Sequence, residues 1–293
     1  NIDKKRINTF LEFNDVLVIA GFQGVDLSGN ITSLGRGGSD TTAVAIASAV
    51  NADRCDIYTD VDGVYSADPN IVSKAKKIPQ MAYEEMLEMA STGAKVLHTR
   101  SVELAMKNNL VLQVLSSITK KSGTLILDEK NLIEKEIVSG VSYSMAESKV
   151  TISGIPDKPG ISAQIFGLLA DQNINVDMIV QNISQDGINA NITFTVPNNE
   201  LNLAKETLKN NLNKINYKSL QTDENVSKIS VIGMGMMSQS GVAQKMFKTL
   251  ADNSINILAI STSEIKISVL IDEKYTNIAV KSLHEAYNLI NKK

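Results

Sequence analysis

Short apolar runs and amphipathic stretches alternate along the first 127 residues. Val16-Leu17-Val18-Ile19-Ala20, ended by Gly21, predicts a buried strand. From Ser39 to Ala52, Ala and Val recur at helical spacing, with Ser39 or Asp40 as the N-cap. Cys55 to Val61 is β-branched and aromatic enough for a strand. Tyr83 to Thr92 and Ser101 to Asn108 carry helical periodicity, and Asn109 to Leu115 returns to a strand pattern. Strands alternating with helices imply a mostly parallel sheet covered on both faces. Residues 128–146 are charged and then mixed, and are expected to be a linker.

The remainder is a duplication. Gly160 to Ile179 recurs as Gly241 to Ile260 at an offset of 81 residues. Eight positions are identical: Gly160, Phe166, Leu169, Ala170, Asp171, Ile174, Asn175 and Ile179. Repetition at this level marks a copied module. Each copy reads strand, glycine-containing loop, helix, strand, turn, strand, helix. Ile161, Ile165, Leu168 and Leu169 form one apolar stripe. The unit is expected to be an α+β ferredoxin-like βαββαβ fold. A module of about 65–70 residues has a thin core and needs a partner, its twin or another chain. The expected modules are 147–222 and 226–293.

Composition narrows the class. Hydrophobic residues are 43% and charged residues 21%, so a packed core is expected rather than disorder. Aromatics are only 4%, so that core is aliphatic. A net charge of −3 leaves no basic footprint for nucleic acid. No apolar run reaches 18 residues, and no signal peptide precedes the first segment, so no membrane partner is expected. The single Cys55 has no disulfide partner within the chain, which suits a reducing cytoplasm.

Three motifs point to chemistry. In Thr32-Ser33-Leu34-Gly35-Arg36-Gly37-Gly38-Ser39-Asp40, three glycines around an arginine precede a helix N-terminus. Such a loop lets backbone approach an anion, and Arg36 can fork onto a carboxylate or phosphate. A capped glycine turn explains the spacing equally well. It is not a Walker loop, since no Gly-Lys-Ser/Thr follows. In Tyr58-Thr59-Asp60-Val61-Asp62-Gly63-Val64-Tyr65, a strand ends in an Asp-rich turn. Ligands of open α/β sheets bind beyond the carboxyl ends of strands, which places Thr59, Asp60 and Tyr65 near one; a plain polar turn is the alternative. Gly93-Ala94-Lys95-Val96-Leu97-His98 offers Lys95 to a phosphate, although a lone lysine usually just meets solvent. His98 and His284 lie far apart without a third partner, so no metal ligand is assigned. Ser39 has no evident histidine partner for a hydrolase triad.

Together and in this order, these motifs resemble those of the aspartate kinases, whose catalytic domain has the αβα-sandwich amino-acid kinase fold. Gly154-Ile155-Pro156-Asp157-Lys158-Pro159-Gly160, Asn175-Val176-Asp177-Met178, Gln181-Asn182-Ile183-Ser184 and Ser261-Thr262-Ser263-Glu264-Ile265 resemble the paired ACT domains of the monofunctional, feedback-inhibited members. The likeness runs from about residue 13 to 290, and makes 1–127 the C-terminal part of the kinase domain. It implies phosphorylation of the L-aspartate side chain by ATP with Mg²⁺, giving 4-phospho-L-aspartate on the route to lysine, threonine, methionine and diaminopimelate.

By the resemblance, Arg36 holds the α-carboxylate of aspartate and Asp40 lies near its ammonium group. Ser39 and the Gly37 and Gly38 amides line the reaction centre, and Phe22 and Gly24 wall the substrate site. Thr59, Asp60, Tyr65, Lys95 and Val96 contact ATP. An effector, lysine and/or threonine, is expected between ACT domains. Asp157, Ser162, Asn175, Val176, Asp177 and Gln181 lie on one side, and Asn256, Ile257, Ser263 and Glu264 on the other. A homo-oligomer through the ACT domains is implied. Two departures stand out. Asn70 replaces the arginine that many relatives carry after Asp-Pro, and the family's Lys-Phe-Gly-Gly segment does not occur in this sequence. The chain as given is therefore expected not to catalyse alone; the alternative is a non-catalytic amino-acid-sensing subunit or fragment.

Overall fold

The computed structural model describes residues 2–93, 96–119, 121–133, 136–184 and 187–290. The chain divides into two compact units. One holds the residues up to Ser142, Val231–Ser240 and the chain from Tyr287; the other holds Tyr143–Ser230 and Gly241–Ala286.

The first unit begins with helix α1 (Lys4–Phe13), capped by Asp3 and burying none of its residues. The strands β1 (Gln23–Val25) and β2 (Ile31–Ser33) then form an antiparallel ribbon. Between α1 and β1, the run Val16–Ala20 is not the expected buried strand. It is irregular, with Val16 78% and Val18 91% exposed. An apolar run becomes a strand only where ladder partners exist, and no strand pairs with it among the described residues.

Helix α2 (Gly38–Ala49) has Gly37 as its N-cap, so Ser39 and Asp40 lie within its first turn and are not the N-cap expected of them. It is followed by β3 (Arg54–Thr59), β4 (Gln80–Ala82), α3 (Tyr83–Ser91), α4 (Thr99–Lys107), β5 (Val111–Ser116) and β6 (Thr124–Leu127). The sheet order is β3-β5-β6-β4. The β3–β5 and β4–β6 pairs are parallel and β5–β6 is antiparallel, so the sheet is mostly parallel, as expected, with one antiparallel pairing. The loop between β5 and β6 is the cause: residues 117–123 are too few for a parallel crossover.

One aliphatic core joins sheet and helices. Ile57, Leu112, Val114 and Ile126 from the strands meet Val44 of α2, Met86 and Met89 of α3, and Val102 of α4. Glu85, 3% exposed, accepts hydrogen bonds at both of its oxygens. Its oxygens take the Ala82 amide at 3.1 Å, the Met234 amide at 3.0 Å and the Ser139 hydroxyl. Ser66 Oγ donates to the Leu289 carbonyl at 3.1 Å, and Ala75 bridges to Ile290, which anchors the end of the described chain.

The stretch read as a linker carries strand β7 (Gly140–Ser144). The first repeat then runs β8 (Glu147–Pro156), α5 (Ile161–Ala170), β9 (Asp177–Ile183), β10 (Asn189–Pro197), α6 (Leu201–Asn210), α7 (Leu212–Ile215) and β11 (Ser219–Asp223). Its antiparallel sheet has the order β11-β8-β10-β9. The second repeat runs β12 (Val226–Ile232), α8 (Val242–Asp252), β13 (Ala259–Thr262), β14 (Lys266–Asp272) and α9 (Thr276–Ala286). Its sheet has the order β13-β14-β12-β7. The fourth strand of the second module therefore comes from before the first module. Ser139 N donates to Ile232 O, and Ser227 Oγ donates to Ser144 O, at opposite ends of the β7–β12 pair.

Within the second unit the repeats also share contacts. Met178 packs with Val226, Leu270 and Ala259. Among the described residues, no helix is long and apolar enough to cross a membrane.

Candidate functional site: a glycine loop, an Asp-Tyr-Lys network and a paired module

The Ser33–Asp40 loop is shaped by two left-handed glycines. Gly35 (φ 76°) and Gly37 (φ 74°) flank Arg36. Both are residues with little cost at positive φ. Gly37 has a second reason: a Cβ there would lie 2.4 Å from Cγ of His98. A Cβ on Gly38 would meet Leu34 and the Phe22 ring at 2.9 and 3.0 Å. The loop is pinned from three directions. Leu34 N donates to Phe22 O at 3.1 Å, Phe22 N to Thr42 Oγ1 at 3.2 Å, and Arg100 Nη1 to Leu34 O at 3.3 Å. Phe22 itself sits at φ 66°, a conformation costly for a bulky residue.

The result is an open mouth at the start of α2. Arg36 and Ser39 are exposed and Asp40 is half-buried, with Ser39 Oγ 3.3 Å from Asp40 Oδ1. Gly38 N turns back to Gly35 O and Thr41 N to Gly37 O. Among the described residues this leaves the Ser39 and Asp40 amides for a ligand, at the positive end of the helix dipole. Phe22 is 49% exposed beside the loop, and Gly24, on β1, would place a Cβ 3.3 Å from Leu34.

The second cluster stands at the carboxyl ends of the parallel pair β3–β5. Thr59 pairs with Ser116, and Ser117 returns both its amide and its hydroxyl to Thr59 O, at 2.8 and 3.0 Å. Thr59 Oγ1 lies 3.1 Å from Asp60 Oδ1, and Asp60 is exposed. Tyr65 donates its hydroxyl to Asp62 Oδ1 at 2.7 Å, and Lys77 Nζ reaches Asp62 Oδ2 at 3.3 Å. The Tyr65 bond, aided by Lys77, holds the Asp62 carboxyl below the usual carboxylate range. The same bond pushes the Tyr65 phenol up to about 12, since ionising it would set two negative charges together. Sequence reasoning missed Lys77, whose only mark was its place in a Lys-Lys pair before Ile78-Pro79.

The third motif meets the first through the His98 ring against Gly37. His98 also caps α4, with Nδ1 accepting from Arg100 N at 3.4 Å. Lys95 lies outside the described residues. Val96 packs against the apolar core of the unit. Asn70 is occupied locally, with its side-chain amide 3.0 Å from Asp68 Oδ1. Cys55 is buried, and burial raises its thiol to about 11.

In the second unit, Ser162 Oγ, at the start of α5, donates to Gln181 Oε1 on β9 at 2.9 Å. The Asp157 amide is held by Ile188 O at 2.9 Å, and the Asn175 amide by Glu200 Oε2 at 3.1 Å. Asp157, Asn175 and Gln181 are exposed, and Val176 packs on the module's core. Asn256, Ser263 and Glu264 are exposed at equivalent loops of the second module, with Ile257 half-buried.

Asp177 is already partnered. Its Oδ2 accepts from Lys228 Nζ at 2.7 Å, and its Oδ1 from Met178 N at 2.8 Å. Lys228, 4% exposed, also pairs with Glu147, which in turn accepts from Thr195 Oγ1 at 2.6 Å. Burial works against the Asp177 charge, but Lys228 outweighs it and holds that carboxyl low. Burial likewise opposes the Lys228 charge, and Glu147 and Asp177 together hold its ammonium above its ordinary value.

Comparison with known proteins fits this division. The amino acid kinase family matches residues 1–116, and the ACT domain matches 150–212 and 229–287. An aspartate kinase of Pseudomonas fluorescens is 52% identical over 289 residues, covering 98% of this chain and 70% of that protein. E. coli aspartokinase III in complex with aspartate and ADP superimposes with a TM-score of 0.81 at 29% identity, over 96% of this chain and 63% of the other. Its complex with lysine and aspartate gives 0.76 at 30%, over 97% and 62%. On this identity, extending over nearly its whole length, the chain belongs to the aspartate kinases, with an amino acid kinase region followed by ACT domains.

Proposed function

We propose that this chain carries the aspartate- and nucleotide-handling part of an ATP-dependent kinase that phosphorylates the L-aspartate side chain, yielding 4-phospho-L-aspartate and ADP. The observation that carries the reading is Arg36, held exposed between two left-handed glycines at the mouth of α2. A guanidinium and free helix amides suit the carboxylate of an amino acid, and the adjacent Asp40 suits its ammonium group. Gly37, Gly38 and Ser39 line the reaction centre; the Gly38 amide is engaged with Gly35 O, so the Ser39 and Asp40 amides are the donors offered there, and Phe22 and Gly24 wall the site. Thr59, Asp60, Tyr65 and Lys95 receive ATP.

The described residues hold no cluster of three or more metal-ligating side chains. Mg²⁺ would enter on the phosphates, with a carboxylate such as Asp60 assisting. When bound, the ion neutralises phosphate charge; the chain's own part is to orient the two substrates.

An amino-acid effector, lysine or threonine, binds at the ACT modules near Asp157, Ser162, Gln181, Asn256, Ser263 and Glu264. The lysine complex of the E. coli relative supports this reading. A second copy of the chain associates through the same modules. The kinase region is assigned to 1–127. The modules are assigned to 147–223 and to 226–286 with β7 added.

In the full-length protein, Arg36→Ala is expected to raise the aspartate KM about a hundredfold, the scale of a lost charged hydrogen bond or two. The ATP KM should change little. Equal loss for both substrates sinks the assignment.

A further inference from the structure

The Asp62–Tyr65–Lys77 network does more than fill a turn. Lys77 donates to Asp62 Oδ2 and, at 2.7 Å, to the Ser122 carbonyl. One ammonium thus ties the loop after β3 to the loop after β5. A third segment joins through backbone: Tyr65 bridges to Lys77, Ser66 N donates to Lys76 O at 2.8 Å, and Ile78 N to Val64 O at 2.9 Å. Thr124 closes the far side, accepting from Val64 N at 2.8 Å and donating to Ile78 O at 2.6 Å. Gly63 (φ 148°) is compelled by this packing, since a Cβ there would lie 2.7 Å from Thr124 Oγ1 and 2.9 Å from Lys77 Cδ. Both charged side chains are largely covered, at 25% and 21% exposure. A covered pair of this kind fixes geometry more surely than it adds stability.

We propose that Asp62 and Lys77 are positioning residues for the nucleotide: they lock the Tyr65 ring and hold the β3 and β5 loops in the spacing that ATP requires. The inference rests on the reading that ATP binds at these strand ends. Lys77 acts through Asp62 and Tyr65 and need not touch the nucleotide, because its ammonium is already committed to two acceptors.

The test uses the full-length protein with ATP kinetics, binding of a non-hydrolysable ATP analogue, and an absorbance titration of tyrosine. Lys77→Met and the near-isosteric Asp62→Asn should each raise the ATP KM about tenfold, with the aspartate KM and kcat at saturating ATP within twofold of the parent. Lys77→Arg should recover most of the loss. Asp62→Asn should bring one tyrosine down from about 12 toward the ordinary value near 10. In a Tyr65→Ala background, Lys77→Met should raise the ATP KM by clearly less than it does in the parent, the remainder being the loop spacing held through the Ser122 carbonyl. The proposal is overturned if both substrates weaken together, or if Lys77→Met keeps its full effect without Tyr65. A parent protein that binds no ATP analogue overturns this inference and the functional reading together; a parent that binds it while the variants match it overturns the inference alone.

Discussion

The two ACT modules descend from one repeat yet close their sheets differently. The first draws all four strands from 147–223; the second has three and takes β7 from ahead of its twin. The contrast shows in their first strands. On β8 buried and half-buried positions alternate over most of its length, with the inward residues in the module's own core. On β12 all seven positions are buried, including Ser227, Lys228 and Ser230. Each of these polar groups has a partner. Ser227 bonds Ser144 O, Ser230 bonds Ser268 at 2.7 Å, and Lys228 takes Glu147 and Asp177. A duplicated sequence therefore repeats its core, while polar positions on the copied strand are reassigned to whatever the new setting leaves unpaired.

The sharpest way to break this comparison is to separate the modules. A fragment spanning 145–224 is expected to unfold cooperatively with heat. A fragment spanning 225–290 is expected to show no cooperative transition until residues 138–144 are fused ahead of it. If 225–290 folds unaided, β7 is dispensable and the contrast collapses.

A smaller effect is expected at Lys228. Lys228→Met leaves Glu147 and Asp177 facing each other, at a cost of about 3 kcal/mol by chemical denaturation; the figure is near the low end for a buried pair because Asp177 is partly in water. The pH dependence has a definite sign. Asp177 is held below its ordinary value of 3.8, so its contribution is present above that pH and fades as pH falls through the depressed value. Lys228 is held above 10.5, so its contribution is present below that pH and fades as pH rises through the raised value. Both windows should disappear in the Lys228→Met variant. An unchanged pH–stability profile refutes this account of the pair.

The smallest structural change tests regulation. Gln181→Ala removes an exposed side chain that accepts from Ser162. It should relieve inhibition by lysine or threonine with uninhibited kcat nearly unchanged, because a ligand shifts an equilibrium only by its differential affinity. Inhibition curves superimposable on those of the parent place the effector elsewhere.

Much of this was legible in the chain. The helices at Tyr83 and Thr99 and the strand at Val111 lie within two residues of their expected bounds, because periodicity reports which face is buried. The Gly-Arg-Gly-Gly loop was readable too, but not the second reason for Gly37, which depends on His98 some sixty residues away. The run Val16–Ala20 misled because hydrophobicity records a wish for burial and not the presence of a neighbour. Strand β7 and the Lys77 and Lys228 pairings were invisible for a related cause: each depends on partners fixed only by tertiary structure.

The borrowed strand also has a consequence in time. Ser144 and Val226 are separated by 82 positions in the sequence, and the whole first module lies between them. At about 5–20 residues per second of synthesis, β7 emerges roughly 4–16 seconds before the strand it must pair with. The first module has that interval to fold alone, and its completion draws the two ends of the insertion toward each other. The second module is thus the last part of the regulatory region to form, and a ribosome stalled within the first module would leave β7 displayed as an unpaired edge.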